Sequence, residues 1–495
     1  MSEAGTLALP DGQLGPPERL HPLYLLTGIG QSIKGAWGLL AAVAVLGSQN
    51  RWLIVALLGV AFMAMSVGSL FLKWLKLEYR VGPDEIRIDS GFLSRTSRAI
   101  PFDRVTDVDL EQGPLHRLFG LAQVRLETGA SAGSNEEDGV LHTISLERAE
   151  ALRQHIRARR LGGVAVAPVE AASEAPALFA MDKRRVATAG FFNFSLAVIA
   201  GLFGVSQTFG DVLGFDPFKR SFWLGLLDRA GPLQSLVMAH QIVAMAAGTL
   251  LLVLLGIGTG LVRTAMREYG FRLDRTESGF RRRRGLFTLT DVTIPAKRVQ
   301  AAILATGPIR HRFGWWVLKL QSLAMDGKKG DHVVAPLAHA PEAATILSSL
   351  GWPTGPEDEP WRKVSRAFLT SFSLILAPAA ILTLAGIPFL GPVALLWLAG
   401  SALAVFVRWR DWRHTRFALD GDTLFVETGW WRHRRRIVPI RKIQSIDLAE
   451  SFWSRAFGIC TLRLGVAGGG GFSDHHIPAL TRAEAEALRA RLLSA

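Results

Sequence analysis

Read for polarity alone, the chain alternates three times between pairs of long apolar blocks and longer polar stretches. The clearest blocks are 52–72, WLIVALLGVAFMAMSVGSLFL, and 236–262, LVMAHQIVAMAAGTLLLVLLGIGTGLV; the others are 28–47, 186–207, 367–387 and 389–407. A helix needs about 20 mostly apolar residues to cross about 30 Å of hydrocarbon. The pattern therefore predicts six spanning helices in three hairpins. Lys34, inside the first block, can reach the nearer surface along its own aliphatic stem. Pro378, Pro388 and Pro392 interrupt the last two blocks and predict a tight turn near Pro388. Basic residues crowd the outer ends of the pairs: Lys73, Lys76 and Arg80; Lys183, Arg184 and Arg185; Arg263 and Arg267; Arg362, Lys363 and Arg366; Arg408 and Arg410. The connections inside each pair are poorer in them, so both termini and all polar stretches are expected on the cytoplasmic side.

Within the polar stretches one pattern is written three times. GFLSRTSRAIPFDRVTDVDLEQGPLHRLFGLAQVRL (91–126), GLFTLTDVTIPAKRVQAAILATGPIRHRFGWWVLKL (285–320) and GWWRHRRRIVPIRKIQSIDLAESFWSRAFGICTLRL (429–464) align without a gap. The opening glycine (Gly91, Gly285, Gly429), a proline (Pro101, Pro295, Pro439) and a basic residue (Arg104, Arg298, Lys442) hold their type. So do a Phe-Gly pair at 119–120, 313–314 and 457–458 and a basic-Leu pair at 125–126, 319–320 and 463–464. Alternation at Ile86 and Ile88, Leu424 and Val426, and Leu462 and Leu464 predicts half-buried strands. Each module ends in a helix: Thr481 and Glu484 are spaced as a capping box, and Pro341 opens the corresponding helix of the second copy.

The boundaries that follow are a disordered tail (1–18), a hairpin (19–76), module one (77–160), a linker (161–182), a second hairpin (183–264), module two (265–350), a linker (351–361), a third hairpin (362–410) and module three (411–495). The fold class is α-helical membrane hairpins plus α+β modules, each module an antiparallel sheet closed by a C-terminal helix. An apolar hairpin followed by this Gly…Pro…Phe-Gly…basic-Leu module resembles the YdbS/YdbT-like bacterial membrane proteins, which carry bacterial pleckstrin-homology domains. LHPL at Leu20–Leu23 is similar to the start of that family's N-terminal hairpin. The resemblance covers nearly the whole chain, and three copies match its longer members. It implies a pleckstrin-homology-like sheet capped by a helix, residence in the bacterial inner membrane, a shorter relative as partner, and no catalytic residues. One departure stands out: the position of Ile88 and Val426 is Arg282 in module two, so its early strands are expected to be displaced or exposed on both faces.

Composition narrows the class. At 49% hydrophobic and 20% charged residues, disorder is excluded for the bulk of the chain. A single cysteine, Cys460, excludes an intramolecular disulfide and an all-cysteine zinc site. Lys and Arg number 56 against 42 Asp and Glu, a net +14 that favours an anionic partner. Residues 73–160 balance 14 basic with 14 acidic side chains, whereas 263–350 carry 15 against 7 and 408–495 carry 15 against 9. The densest clusters, Arg281, Arg282, Arg283 and Arg284, and Arg432, Arg434, Arg435 and Arg436 beside Trp430 and Trp431, fall around the first β-turn of their modules. Pleckstrin-homology folds can use that region for anionic headgroups, and an anionic leaflet contributes about 1 kcal/mol per nearby Lys or Arg. Three readings stay open for these ten residues: contact with anionic lipid, a surface for a protein partner, and a solvated face enforcing topology.

Catalytic and metal chemistry find no motif. There is no P-loop or H-E-x-x-H; the one G-x-S-x-G match, GASAG at 129–133, falls in the 129–139 stretch that reads as a solvated hairpin tip, and Asp474-His475-His476 with Cys460 matches no zinc spacing. No catalytic residue, metal or cofactor is assigned. Nucleic acid is not expected as a partner, because the basic residues adjoin apolar blocks and no nucleic-acid-reading motif occurs. Gly248, Gly256, Gly258 and Gly260 predict close helix packing. The expected role is a non-enzymatic adaptor or assembly platform, which the resemblance connects with envelope stress or resistance to membrane-active compounds. The alternative is a transporter or lipid-handling protein with a path lined by Gln31, Lys34, Asn193, Gln207, His240 and Gln241.

Overall fold

A computed structural model describes residues 15–28, 52–90, 96–128, 139–160, 176–194, 225, 240–326, 329–357, 360–468 and 475–494. The chain divides into two compact units: residues 1–174, 181–271 and 283–292, and residues 175–180, 272–282 and 293–495.

Among the described residues every repeat contributes seven strands. The first holds β1 (Glu18–Arg19), β2 (Glu78–Val81), β3 (Glu85–Ser90), β4 (Thr96–Pro101), β5 (Val105–Gln112), β6 (Leu121–Thr128) and β7 (Val140–Ser145). The second holds β8 (Phe179–Ala180), β9 (Arg272–Arg275), β10 (Gly279–Arg284), β11 (Leu289–Pro295), β12 (Val299–Thr306), β13 (Trp316–Asp326) and β14 (Lys329–Ala338). The third holds β15 (Arg362–Lys363), β16 (Arg416–Asp420), β17 (Thr423–Thr428), β18 (His433–Pro439), β19 (Ile443–Ala449), β20 (Ile459–Val466) and β21 (His476–Thr481).

Local chemistry accounts for the repeated residues. Gly285 and Gly429 adopt φ +118° and +81°, and a Cβ would lie 1.9 Å from the Thr288 carbonyl oxygen or 2.5 Å from that of Arg432. Only glycine fits that turn. The Phe-Gly pair ends a five-residue helix (Pro114–Leu118, Pro308–Arg312, Phe452–Ala456), whose glycine turns left-handed at φ +63°, +71° and +64°. In β3 the side chains of Ile86 and Ile88 point inward while Glu85 and Arg87 stay nearer water. The helix Leu146–Arg160 buries Ala149, Leu152 and Ile156 against them, and Arg482–Ser494 buries Ala485, Leu488 and Leu492 in module three. The capping box forms as spaced: the Thr481 amide donates to Glu484 Oε2 at 3.0 Å, and the Glu484 amide donates to Thr481 Oγ1 at 3.3 Å.

Two corrections concern the joints. Part of the expected tail is structured: Glu18 accepts from Tyr79 Oη at 2.6 Å and from Arg148 Nε at 3.1 Å, while β1 pairs with β2. The burial of Tyr79 and its bond to Glu18 push the phenol above its ordinary value. Residues 1–14 lie outside the described residues. Likewise the end of the expected linker 161–182 holds β8, which pairs with β9, and the expected third hairpin, 362–410, begins with β15, which pairs with β16. The partners Glu18↔Tyr79, Phe179↔Leu273 and Arg362↔Phe417 occupy one position of the repeat alignment. Each apolar pair is thus preceded by a short strand that closes onto the strand following it. In repeats one and three an indole adds a latch: Trp74 Nε1 donates to the Leu20 carbonyl at 2.9 Å, and Trp412 Nε1 to that of Val364 at 3.1 Å.

The apolar helices fit the six-block expectation only in part. Three described helices are long and apolar enough to cross a membrane: Met245–Glu268, Ala367–Ala385 and Val393–His414. A 25-residue helix, Trp52–Lys76, covers the 52–72 block. The 28–47 block lies almost wholly outside the described residues. The 186–207 block is not helical from its start to its end: the helix Lys183–Phe192 stops at Asn193, whose amide side chain donates to Thr264 Oγ1 at 3.0 Å. The expected close packing appears there, since a Cβ on Gly260 would lie 2.5 Å from the Asn193 carbonyl oxygen and one on Gly190 2.8 Å from Leu261 Cα. Gly248 and Gly258 have nothing within 4 Å of such a Cβ. The third pair turns through the short helix Ile387–Leu390 and Gly391 at φ +55°, as Pro388 predicts.

Sheets run across module boundaries. In the first unit β4 closes the sheet β1-β2-β3-β4, while β5 lies between β6 and β11. In the second unit one antiparallel sheet has the order β14-β13-β12-β18-β17-β16-β15, and β19-β20-β21 forms another. Leu110 stands opposite Asp291 and Leu304 opposite Arg435, which is the same register in the repeat alignment.

Candidate membrane-interface site

The two arginine clusters lie on opposite sides of the glycine turn: Arg281–Arg284 on β10 leading into it, and Arg432, Arg434, Arg435 and Arg436 on the turn and β18 leading out. They do not form equivalent patches. Strand alternation decides which of Arg281–Arg284 reach water; on β18 both faces become covered beyond Arg434.

In module three the turn rests against the end of the helix Pro392–His414. The Trp430 amide donates to Asp411 Oδ1 at 2.8 Å, Arg410 lies 4.9 Å over the Trp430 ring, and Phe406 meets that ring edge-on at 6.3 Å. Trp431, 63% exposed, meets Trp430 at 5.9 Å, and Arg432 and Arg434 are exposed beside it. An indole next to cationic side chains at a helix end is the composition found where hydrocarbon meets headgroups. The other two arginines of the cluster turn inward. Arg436 is buried and donates to Thr428 Oγ1 at 2.8 Å. Arg435 bonds Glu427 at 2.7 Å and the Thr354 carbonyl at 2.9 Å, with Trp316 and Trp361 flanking it. Glu427, 1% exposed, also binds Arg416 and has His433 at 3.8 Å. Burial acting alone would raise its pKa, but His433, Arg416 and Arg435 outweigh it and hold the carboxyl down at about 2.

In module two the equivalent turn also meets a helix end. The Gly285 amide donates to the Tyr269 carbonyl at 2.9 Å, and the Leu286 amide to that of Met266 at 3.0 Å. Phe287, 50% exposed, stands at the position of Trp431. Arg283 is exposed and Arg281 half-buried, but Arg284 is buried against Glu268 at 3.1 Å, the last residue of the helix Gln241–Glu268. That cation offsets a carboxylate placed unfavourably at a helix C-terminus. Arg282 is 0% exposed: it occupies the inward position of Ile88 and Val426, and its guanidinium donates to the Val333 carbonyl at 3.2 Å. The strand is neither displaced nor bare on both faces; the core accommodates the arginine through a backbone acceptor.

The proposed contact set therefore shrinks and shifts. Arg282, Arg284 and Arg436 are interior struts, and Arg435 is largely one. Trp430, Trp431, Arg432 and Arg434 stay together at one turn, and Arg281 and Arg283 remain on the surface of β10. Phe287, Tyr269 and Asp411 were missed by pattern reading, and Arg410 was read only as a charge flanking the sixth block; the alignment of Phe287 with Trp431 was the available signal. His475, considered for metal, is buried with Nε2 2.6 Å from Gln321 Oε1, and no metal-binding group occurs among the described residues. Of the possible path-lining residues, Gln31, Lys34 and Gln207 lie outside the described residues, Asn193 binds Thr264, and His240 opens the helix Gln241–Glu268. An apolar notch of about 340 Å³ sits between Leu25 and the Ala64–Phe71 face of its neighbouring helix.

The family model described as "Bacterial PH domain" matches residues 26–160, 222–351 and 372–495. The chain belongs to the bacterial PH domain family. Its relatives include the UPF0699 transmembrane protein YdbT of Bacillus subtilis (strain 168), 23% identical over 94% of this chain and 95% of that protein. The UPF0699 transmembrane protein YdbS of the same organism is 32% identical across 23% of this chain and 72% of its own length. No solved structure matches. Three family matches on one chain agree with the threefold repeat read from the residues, and the YdbT-like resemblance holds along almost its entire length.

Proposed function

We propose that this bacterial PH domain protein is a multi-pass protein of the bacterial inner membrane, with six helices in three hairpins and both termini cytoplasmic. Its three modules form a non-enzymatic platform on the cytoplasmic face, where anionic headgroups orient them and other proteins assemble, a shorter YdbS-like chain among them. Its cellular role is in envelope stress or resistance to membrane-active compounds. The observation that carries this reading is the seating of both described glycine turns on the ends of apolar helices, each with an exposed aromatic side chain, Phe287 or Trp431, at its tip. Lys73, Lys76, Arg267 and Arg413 in the last turns of the helices support the orientation, and the words "transmembrane protein" in the names of both relatives support residence in a membrane.

Hydrogen exchange on the full chain in nanodiscs tests the lipid contact. Amides 429–434 are expected to exchange more slowly in phosphatidylglycerol discs than in phosphatidylcholine discs, and to lose the difference in 0.5 M salt (roughly a 4 Å screening length) or in R432E/R434E. Equal exchange in both discs overturns headgroup contact. Pull-down of tagged chain from native membranes tests the platform: a stoichiometric partner is expected, and recovery of the chain with lipid alone overturns it.

A further inference from the structure

The junction between successive modules occurs twice in this chain and, among the described residues, is left open at both ends. Strand β5 of module one pairs with β11 of module two, and β12 of module two pairs with β18 of module three. In the repeat alignment β11 and β18 correspond to β4, and β5 and β12 correspond to β19. Among the described residues β4 is the last strand of its sheet and β19 the first of its own, so the outer edge of each has no neighbouring strand.

Burial records the difference at matching positions. Val108 and Ala302, on the junction strands β5 and β12, are 2% and 0% exposed, whereas the matching Ile446 on β19 is only half-buried. Leu110 and Leu304 are buried, and the matching Leu448 is half-buried. On the opposing strand Thr293 and Ile437 are buried, and the matching Ala99 on β4 is exposed. Strand β19, IQSIDLA, carries neither lysine nor proline, the usual guards of a free edge.

We propose that β19 of one copy of this chain pairs with β4 of a second copy, repeating between molecules the junction made twice within one. Carrying over the register of Ala302↔Ile437, Ile303↔Arg436 and Ala305↔Arg434 places Ile446 opposite Ala99, Asp447 opposite Arg98, and Ala449 opposite Thr96. The pairing buries the half-covered Ile446 and Leu448 and sets a carboxylate directly across from a guanidinium, a favourable cross-strand pair. Neither inner junction has that charge pair at this position: Ile303 faces Arg436 in one, and Asp109 matches Val292 in the other. Because each copy has one edge of each kind, the contact is head-to-tail and extends to further copies until rotation closes a ring. The proposal is independent of headgroup binding.

Oxidative cross-linking of full-length chains in native membranes tests it, Cys460 being buried. Co-expressed, differently tagged T96C and A449C chains are expected to form a disulfide-linked heterodimer, while each variant alone gives none. The double variant T96C/A449C is expected to give a ladder. Adding D447R to the A449C chain is expected to lower the heterodimer yield by ~5-fold, the effect of about 1 kcal/mol between like charges, and R98D on the T96C chain to restore it. Absence of heterodimer, a link within one chain only, or capture of a different protein in place of the second copy overturns the proposal.

Discussion

Glu427 is removed from water yet ionised, because Arg416, Arg435 and His433 surround it on three sides. Its folded pKa lies below the ordinary 4.5, so its stabilising contribution is complete above that pH and is lost as pH falls through about 2. E427Q is therefore expected to lower stability near pH 7 by about 2 kcal/mol, the scale of charge-assisted hydrogen bonds, and to flatten the acid limb of a thermal-unfolding series in detergent. A variant with an unchanged acid limb would place that proton uptake elsewhere. The arginines around this carboxylate were plain in the sequence, but their division into interior and surface was not. A run such as Arg281–Arg284 reads as one patch, whereas a strand sends alternate members to opposite faces, and Arg282 is carried inward by its register rather than its polarity. A solitary glutamate on β17 leaves no pattern at all.

The elements that pattern reading recovered are those where backbone geometry leaves one residue type a choice. The opening glycine, the Phe-Gly pair and the capping box recur because positive φ and orphan helix-end amides admit few side chains. G429A should destabilise the β17–β18 hairpin by about 2 kcal/mol, as a left-handed alanine facing a carbonyl oxygen at 2.5 Å requires. Hydrogen exchange across 423–439 reads this, with G248A as the control, since nothing lies within 4 Å of a Cβ there. Equal exchange in the two variants would refute the assigned turn. The indole latches escaped notice because the middle repeat has Glu268 where the others have Trp74 and Trp412, and it spends that position on Arg284. The lead-in strands escaped for another reason: two residues are too few to show alternation.

At the scale of the whole molecule, hydropathy disclosed the apolar blocks and their threefold spacing but not the sharing of sheets between modules, because a strand edge is made of backbone and writes nothing in side chains. Orientation is directly measurable. In intact spheroplasts an impermeant maleimide is expected to label F389C, whose position is 91% exposed at the turn of the last hairpin, and to spare R489C until the membrane is opened. Labelling of R489C from outside would invert the topology. The short strands β1, β8 and β15 carry a consequence for biogenesis. Each can find its partner only after the ribosome has delivered both apolar blocks between them, so a repeat fastens its own base in a single late step. In the proposed topology, a pair in which one block failed to insert would hold these two strands on opposite faces of the bilayer, and the clasp that certifies correct threading could not shut.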